Sequence, residues 1–415
     1  MSDLLQEYGI SELETKGERK NFCPVCKGKI SECRPAVCPF VKKLYAWIPM
    51  EKFQDRIVFG ASPPTVFVGE WGYPKVNVGP AVSTMEKNFA GLLDTYEKWL
   101  DFSMEELLLM RLSLLHGKKK VGVTVARTPN KFLESSQELA MSSTPVDTEM
   151  ELESRPLLKP LFYVREPPIG PSAPLLKLRL AENPSVPRVV EKTVSDADLR
   201  AADAIIRMYR SGIRQEHITR LLSIGLLGAK DERKIVPTEW SITAVDDIIG
   251  KALRKEVMKN PIINCYEIYG FEALHNRVYI LLLPLRWAFE VLEYWHSMPS
   301  RLPYSDHEFP GFPEGYPENI GGAYHAVRLP VLEHLSARKR QAAALAFIEV
   351  FPGWLPLGVW RLREISRKAL NMQSTKANSL DEALLLLSTK LKLPIENWIG
   401  ASRLLDLLKT QSKLG

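Results

Sequence analysis

FGASPPTVFVGEWGYPKVNVGP, residues 59–80, is the stretch that most directly decides the fold of this chain. Two short runs rich in β-branched residues, 64–68 and 74–78, flank the segment GEWGY at residues 69–73. Valine, phenylalanine and threonine fit a pleated, half-buried surface, and glycine permits the chain to reverse between two such runs. The stretch therefore predicts a β-hairpin with a five-residue loop that holds two aromatic residues at its mouth.

The same hairpin carries a candidate phosphate site. Its glycines leave backbone N–H groups uncovered, and Lys75 and Asn77 alternate with valines, so they share one face of a strand. A glycine-lined loop beside such a face suits a phosphate group or a nucleic-acid backbone. We predict Gly72, Lys75 and Asn77 as phosphate- or nucleic-acid-binding residues. The alternative is a twisted edge hairpin with solvated polar residues, because no Walker or dinucleotide spacing is present.

The order of residues in this stretch resembles the signature of the archaeal Nre family of DNA repair proteins. Two later segments resemble the same family: VPTEWSITAVDD at residues 236–247 and GGAYHAVRLPVLEHL at residues 321–335. The likeness runs from a cysteine cluster near the N-terminus to about Phe351. It implies a DNA repair protein with an N-terminal metal-binding module. It supplies no reaction chemistry that maps onto particular residues.

Composition is that of an ordinary globular protein. The chain has 415 residues, of which 45% are hydrophobic and 25% charged, enough for two or three domains. A formal net charge of +6 fits a polyanionic partner without requiring one. The first residues lack the basic start and apolar core of a signal peptide, and the most apolar run, 278–295, contains proline and charged residues. We therefore predict a cytoplasmic protein without a membrane span and interpret residues 278–295 as a buried helix.

Four of the five cysteines crowd into one segment and are Cys23, Cys26, Cys33 and Cys38. In a chain without export signals, such a cluster predicts metal ligands rather than disulfides. Thiolates at this density suit tetrahedral Zn²⁺, and four of them leave no open coordination position for catalysis. An iron–sulfur cluster is the alternative, because it takes the same ligands. The fifth cysteine, Cys265, is expected to be a small buried hydrophobic residue.

An acidic group lies in the middle of the chain. Asp246 and Asp247 stand in an apolar frame, where they either complement the dipole of a helix capped by Thr243 or serve as metal-binding or general-base carboxylates. Downstream, Glu267 and His275 add the residue types of a metal-dependent phosphodiesterase, although no spacing requires that reading. Asp246, Asp247 and His275 are therefore the candidate catalytic residues of a nuclease that would use Mg²⁺ or Mn²⁺.

Local patterns place several other elements. Ser103 and Ser379 each precede an acidic helix start and predict an N-cap. Residues 121–125 predict a strand, and the three lysines before it, residues 118–120, predict a solvated turn. Residues 272–276 are interpreted as the connection between two strands.

Basic residues are frequent in the last third of the chain. Arg277, Arg338 and Arg340 are predicted to contact nucleic acid. Residues 354–368 carry two tryptophans among arginines and lysines, which indicates a positive surface bearing aromatic rings.

The C-terminal residues partly match a sliding-clamp-binding peptide. Such a peptide needs a glutamine, an aliphatic residue three positions later and then two aromatic anchors, which supply most of the binding energy. Gln411 and Leu414 match the first half, and the aromatic half is missing. Members of the Nre family that bind the clamp, PCNA, carry such a peptide at this end, so the resemblance implies a degenerate version. Weak clamp binding is expected, and a frayed helix end is the alternative.

These observations predict an α+β fold with a small N-terminal four-cysteine metal module, a mixed β-sheet core with long helices, and a helical C-terminal part. The predicted boundaries are 1–45 for the zinc-binding module, 46–335 for the core, 336–410 for the helical region and 411–415 for the tail remnant. The leading function is DNA repair through binding of damaged or branched DNA, with the sliding clamp as a further partner. The alternatives are a metal-dependent nuclease and a nucleotide- or RNA-modifying protein that uses the loop at residues 72–79.

Overall fold

The computed structural model describes residues 55–83, 87–157, 169–297, 300–310, 317–354 and 357–412. These residues divide into two compact units, 55–249 and 250–412. The four predicted metal ligands lie outside the described residues, and so does Leu414.

The first unit is built around a mixed β-sheet. Its described strands are β1 (Ile57–Ser62), β2 (Phe67–Val68), β3 (Lys75–Gly79), β4 (Ala81–Ser83), β5 (Leu114–Gly122), β6 (Val146–Leu152) and β7 (Ser172–Leu180). Their order is β1-β6-β7-β5-β3-β2, and β4 pairs with the other end of β5. β5 and β7 are parallel, and the remaining pairs are antiparallel. The sheet thus places the predicted hairpin, β2 and β3, next to β5.

Helices lie between and after these strands, and the first three contact β1, β5 and β7. They are α1 (Lys87–Leu92), α2 (Met104–Leu112), α3 (Lys131–Met141), α4 (Arg188–Val194), α5 (Ala201–Arg210), α6 (Gln215–Ser223) and α7 (Thr238–Val257), with 3₁₀ turns at Tyr96–Asp101, Val123–Arg127 and Lys230–Glu232. The boundary between the two units falls within α7. The predicted N-cap at Ser103 is confirmed, because its side chain accepts from the Glu106 amide while Glu106 accepts from the Ser103 amide.

The second unit contains another mixed sheet. Its described strands are β8 (Tyr266–Ala273), β9 (Asn276–Leu283), β10 (Ala288–Trp295), β11 (Tyr304–Glu308), β12 (Ala343–Val350) and β13 (Thr375–Ala377), in the order β11-β10-β12-β9-β8-β13. β10 and β12 are parallel, and the other pairs are antiparallel. Its helices are α8 (Gly322–Ala337), α9 (Trp360–Leu370), α10 (Leu380–Ser388), α11 (Ile395–Ala401) and α12 (Arg403–Ser412).

The core of the second unit lies on both faces of this sheet. Phe347 of β12 packs against Trp398 of α11, with ring centroids 5.5 Å apart. On the opposite face, Phe289 of β10 packs against Tyr324 of α8 at 5.2 Å. Every residue of β12 is buried as a result. A strand covered on both faces is mostly apolar, which explains seven of the eight residues of AALAFIEV, and its buried Glu349 is paired with Arg277.

The α+β class is confirmed, and two of the sequence expectations are corrected. Residues 278–295 form parts of β9 and β10 rather than a helix. The segment 336–410, expected to be helical, also contributes β12 and β13. For residues 278–295 and for β12 the cause is the same: a short apolar run buried on two faces has no alternation that separates a strand from a helix. The connection at 272–276 is confirmed, since Leu274 and His275 join β8 to β9 with φ of 52° and 57°.

None of the helices in the described parts of the chain is both long and apolar enough to traverse a bilayer.

Candidate nucleic-acid interface

The predicted hairpin is confirmed, and its loop contains a tight turn that presents Trp71. The Tyr73 amide donates to the Glu70 carbonyl at 3.2 Å, and Gly72 has a φ of +85°. A positive φ at the third of four residues defines a type II turn, which requires glycine there. A Cβ on Gly72 would also lie 2.9 Å from the Lys75 carbonyl oxygen. Trp71 occupies the second position of this turn and is 59% exposed.

The polar face of the hairpin continues onto β5. Asn77 lies opposite Lys120 in the antiparallel pairing of β3 with β5. The side chains of Lys75, Asn77 and Lys120 are exposed, while the valines between them on β3 are buried. Lys120 also reaches the turn, because a Cβ placed on Gly72 would lie 3.6 Å from its Nζ. Two lysines and an amide therefore line one solvent-facing side of the hairpin.

A chain of hydroxyl groups attaches the hairpin to α7. The Val68 amide donates to the Thr238 Oγ1 at 2.9 Å. That oxygen lies 3.3 Å from the Ser223 Oγ, which donates to the Val236 carbonyl at 2.8 Å. The segments 59–80 and 236–247, which are distant in sequence, therefore meet in space.

Aromatic rings lie at this meeting point. The centroid of the Tyr73 ring is 5.3 Å from that of Trp240, in the first turn of α7, with an interplanar angle of 44°. Trp240 is 45% exposed and contacts Tyr73, which lies two residues after the exposed Trp71. Large aromatic rings left in water forgo the free energy that burial would give. Two of them on one surface indicate a binding site.

We refer to the group Trp71, Tyr73, Lys75, Asn77, Lys120 and Trp240 as the hairpin surface. Lysines contact the phosphates of a nucleic acid and aromatic faces stack with its bases, so this surface has the chemistry that a nucleic-acid strand requires. The structure places Gly72, Lys75 and Asn77 together on the hairpin, and their binding of phosphate or nucleic acid stays a prediction.

Lys120 and Trp240 were missed by the sequence reasoning. Residues 118–120 were expected in a turn, but they belong to β5, which begins at Leu114 and ends at Gly122. A predicted strand that began at Leu114 would have included Lys120 and shown on which face of the strand its side chain lies. Trp240 carried a weaker signal, namely its position in a segment that already resembled the family.

The acidic pair of α7 is held inside the first unit. Asp246 is 1% exposed, and its carboxylate accepts a hydrogen bond from the Gln215 side chain of α6. Asp247, the next residue, is half-buried. The predicted cap at Thr243 is wrong, because α7 begins at Thr238 and the Thr243 hydroxyl donates to the Glu239 carbonyl at 3.3 Å. Asp246 therefore links two helices rather than complementing a helix start.

The other members of the acidic group belong to the second unit. His275 is exposed in the β8–β9 turn, and its ring lies against Gly353, where a Cβ would be 2.9 Å from the His275 Cε1. Glu267 lies on β8 and is 3% exposed. Within the described ranges, no three His, Cys, Asp or Glu side chains are grouped so as to hold a metal ion. The assignment of Asp246, Asp247 and His275 to catalysis stays a prediction.

Arg338 is paired with a buried carboxylate. Its Nη1 and Nη2 donate to the two oxygens of Glu267 at 2.5 and 2.9 Å, and the Tyr269 hydroxyl donates to Glu267 at 2.7 Å. The hydrogen bond to Glu267 raises the pKa of the Arg338 guanidinium. Burial alone would raise the pKa of Glu267, but the hydrogen bonds from Arg338 and Tyr269 hold it below its ordinary value. The guanidinium of Arg338 therefore neutralises a buried carboxylate of the second unit.

The other predicted arginines differ in their surroundings. Arg277 donates from Nε to Glu272 at 2.8 Å and from Nη1 to the buried Glu349 at 3.2 Å. Arg340 is exposed, and its Nη1 donates to the adjacent Lys339 carbonyl at 3.1 Å. Carboxylates thus hold Arg277, whereas Arg340 presents its charge to solvent.

The expected positive surface across residues 354–368 is largely buried. Trp360, Arg361 and Arg363 are between 2% and 6% exposed. The reason is that α9 packs against α8 and against β8 and β9, so most of its circumference is covered.

Two further sequence expectations concern single residues. Cys265 is a free, half-buried thiol rather than a fully buried one. Gln411 lies in the last turn of α12, and the clamp-binding peptide stays a prediction.

Comparison with known proteins gives consistent matches along the chain. A family model described as archaeal Nre, N-terminal, matches residues 33–300, and one described as archaeal Nre, C-terminal, matches residues 312–415. DNA repair protein NreB of Archaeoglobus fulgidus is 33% identical over 388 residues, which cover 92% of this chain and 96% of that protein. DNA repair protein NreA of the same organism is 35% identical over 375 residues, covering 89% and 94%.

A third relative comes from another archaeon. DNA repair protein NreA of Haloferax volcanii is 36% identical over 357 residues, which cover 81% of this chain and 85% of that protein. No solved structure matches the chain.

Proposed function

The chain belongs to the archaeal Nre family, and we propose that it acts in DNA repair by binding damaged or branched DNA at the hairpin surface. The relatives that it matches over most of their length are named DNA repair proteins. The names of these relatives support a role in DNA repair, and the residues of the hairpin surface supply groups that could bind DNA.

One observation carries the proposal. The bond from the Val68 amide to the Thr238 Oγ1 joins two segments that are far apart in sequence. Their junction places the exposed Trp240 against Tyr73, in the loop that carries the exposed Trp71 and that Lys120 reaches. The lysines attract a polyanion, and the rings accept bases, so the surface suits a nucleic acid better than an acidic protein.

The salt dependence of DNA binding tests this proposal. We would measure the affinity for a fluorescently labelled flapped duplex, by anisotropy, for the native protein and for Lys75→Ala/Lys120→Ala. Lys192→Ala, which removes an exposed lysine of α4, is the matched control. Loss of two phosphate contacts should lower the affinity and reduce the slope of log K against log salt by about 1.5. Unchanged affinity and slope in the double variant would contradict the proposal.

The same assay separates the enzymatic alternatives. With Mg²⁺ or Mn²⁺ present, cleavage of the flapped duplex that disappears in Asp246→Asn, while DNA binding and fold persist, would support a nuclease. Thermal stabilisation by a mononucleotide would support a nucleotide-modifying protein, because a ligand that binds the folded state raises its stability. Binding without either result leaves a recognition protein.

The proposal also includes a metal cofactor and a protein partner. Cys23, Cys26, Cys33 and Cys38 would hold Zn²⁺ as a structural ion, with an iron–sulfur cluster as the alternative. Metal analysis of the purified protein, together with its visible absorption, distinguishes the two. Weak binding of PCNA through Gln411 and Leu414 would be lost on Gln411→Ala, measured by titration of the clamp.

A further inference from the structure

Exposed aromatic rings in the first unit differ in their electrostatic surroundings. Phe59 of β1 is 65% exposed, but it lies opposite the exposed Glu149 of β6. Trp71 instead adjoins Gly72, where a Cβ would lie 3.6 Å from the Lys120 Nζ, and Trp240 contacts Tyr73 of the same loop. The ammonium group attracts phosphates, so a nucleic-acid strand held by the lysines can reach the rings of the hairpin surface.

The local backbone restrains the position of both tryptophans. Trp71 stands at the second position of a type II turn whose conformation Gly72 fixes. Trp240 is held in the first turn of a twenty-residue helix and contacts the Tyr73 ring. Rings supported in this way lose little freedom when they bind a ligand, which favours stacking.

Charge is unevenly distributed around these rings. Glu70 and Glu239 directly precede the two tryptophans in sequence and are exposed, whereas the lysines lie along β3 and β5. Phosphates are therefore favoured along the strands and disfavoured beside the indoles. This separation matches a strand whose backbone follows the lysines while its bases turn toward the rings.

A base can stack on a side chain only when its own face is uncovered. In an intact duplex both faces of each base are stacked, and exposing one requires unpairing or flipping, which costs least at a mismatch, a lesion or a single strand. We infer that the hairpin surface binds an unpaired or unstacked DNA base against Trp71 or Trp240. The protein thereby selects distorted or single-stranded DNA over intact duplex. This inference rests on the proposed function, since it takes DNA as the ligand of that surface.

Affinity ratios for two DNAs test the inference. The DNAs are a duplex with a short unpaired loop and a fully paired duplex of the same length, and the proteins are native, Trp71→Ala, Trp71→Phe, Trp240→Ala and Phe59→Ala. The native protein should prefer the looped DNA. Trp71→Ala or Trp240→Ala should weaken binding of the looped DNA about tenfold and binding of the paired duplex by no more than about twofold.

Trp71→Phe should keep most of the preference, because a phenyl ring still stacks. Phe59→Ala, which removes an equally exposed ring beside a carboxylate, should change neither affinity. Absence of a preference in the native protein, or an unchanged ratio in both tryptophan variants, would overturn the inference.

The lysine variants keep the two claims separable. The tryptophan variants could leave the affinity ratio unchanged while Lys75→Ala/Lys120→Ala weakens binding of both DNAs. That result would reject base stacking on the tryptophans but support DNA binding at the hairpin surface. If neither set of variants alters either affinity, both claims fail.

Discussion

The Val68 amide donates to the Thr238 Oγ1 across 2.9 Å, although the two residues are 170 positions apart. Val68 ends the first strand of the hairpin, and Thr238 begins α7. The same oxygen lies 3.3 Å from the Ser223 hydroxyl of α6. One threonine side chain therefore fixes how the hairpin meets the two helices, and the placement of Trp240 beside Tyr73 depends on it.

Replacing Thr238 by valine should destabilise the protein. Valine has a similar shape but no oxygen, so the Val68 N–H would lose its acceptor in a partly buried position. An unsatisfied buried donor costs about 1–3 kcal/mol of unfolding free energy. Urea denaturation measures the change, and Thr238→Ser, which keeps the hydroxyl, should recover most of it. Equal stability of the valine variant and the native protein would show that the bond is unimportant.

Gly72→Ala should distort the turn that presents Trp71. The φ of +85° is strained for alanine by about 1–2 kcal/mol, and the new Cβ would lie 2.9 Å from the Lys75 carbonyl oxygen. We expect a lower melting temperature together with weaker binding of the looped duplex. Gly69→Ala is the matched control, because its Cβ would meet nothing closer than 3.9 Å. An alanine at 72 that melts like the native protein would refute this account of the turn.

Asp246→Asn should affect stability and not DNA affinity. Asp246 is 1% exposed and accepts from Gln215; asparagine can still accept this bond but without the negative charge, which costs about 1 kcal/mol. Asp247→Asn, at the half-buried neighbour, should change stability less. Chemical denaturation and anisotropy are measured on both variants. A stable Asp246→Asn protein that has lost a metal-dependent cleavage activity would instead assign Asp246 to catalysis.

Arg338→Met should destabilise the second unit without weakening DNA binding. Removing the guanidinium leaves the Glu267 carboxylate, 3% exposed, without its counter-charge. Breaking a fully buried pair costs about 3–5 kcal/mol, and we expect about 2 kcal/mol here because Arg338 is partly exposed. The double variant Arg338→Met/Glu267→Gln should recover much of the loss. Native stability combined with weaker DNA binding would restore Arg338 as a DNA contact.

Acid should destabilise the first unit through His217. The ring is 5% exposed, and burial followed by the charge of Arg220 lowers its pKa to about 3. Between the ordinary pKa near 6.5 and this value, the unfolded chain binds a proton that the folded chain does not. The free energy of unfolding therefore falls as pH drops through this window, by about 2 kcal/mol between pH 7 and pH 5.

His217→Asn isolates this contribution to the pH dependence. The backbone of Met141 forms a hydrogen bond with the His217 ring. The asparagine side chain can still donate to the Met141 carbonyl, but it does not titrate. Unfolding free energies measured at both pH values should therefore show a shallower dependence in the variant. His116, whose pKa burial also lowers to about 3, supplies a remaining slope in both proteins. Parallel pH profiles would rule out His217 as a source of acid sensitivity.

Local patterns in the sequence predicted much of the fold. The hairpin followed from glycine and β-branched residues, and Ser379, like Ser103, caps its helix by accepting from the amide three residues later. Such features depend on a few neighbouring residues, so one sequence suffices to find them. Buried strands such as β12 have no alternation and were misassigned.

The candidate site was predicted only in part, for a different reason. Lys75 and Asn77 were found because they alternate on one strand. Lys120 joins them through the pairing of β3 with β5, and Trp240 through the contact of α7 with the hairpin. Both contacts link distant parts of the chain, and no local pattern specifies which distant parts meet. The buried role of Asp246 likewise depends on Gln215 of another helix.

Photocrosslinking tests most directly whether DNA lies on the hairpin surface. A single-stranded oligonucleotide carrying iododeoxyuridine, which crosslinks to nearby aromatic rings, would be irradiated with the native protein and the adducts mapped by peptide mass spectrometry. We predict adducts on peptides that contain Trp71 or Trp240, and their loss in the corresponding alanine variants. Adducts confined to the second unit, for example near Arg340, with none on the hairpin or on α7, would contradict the account.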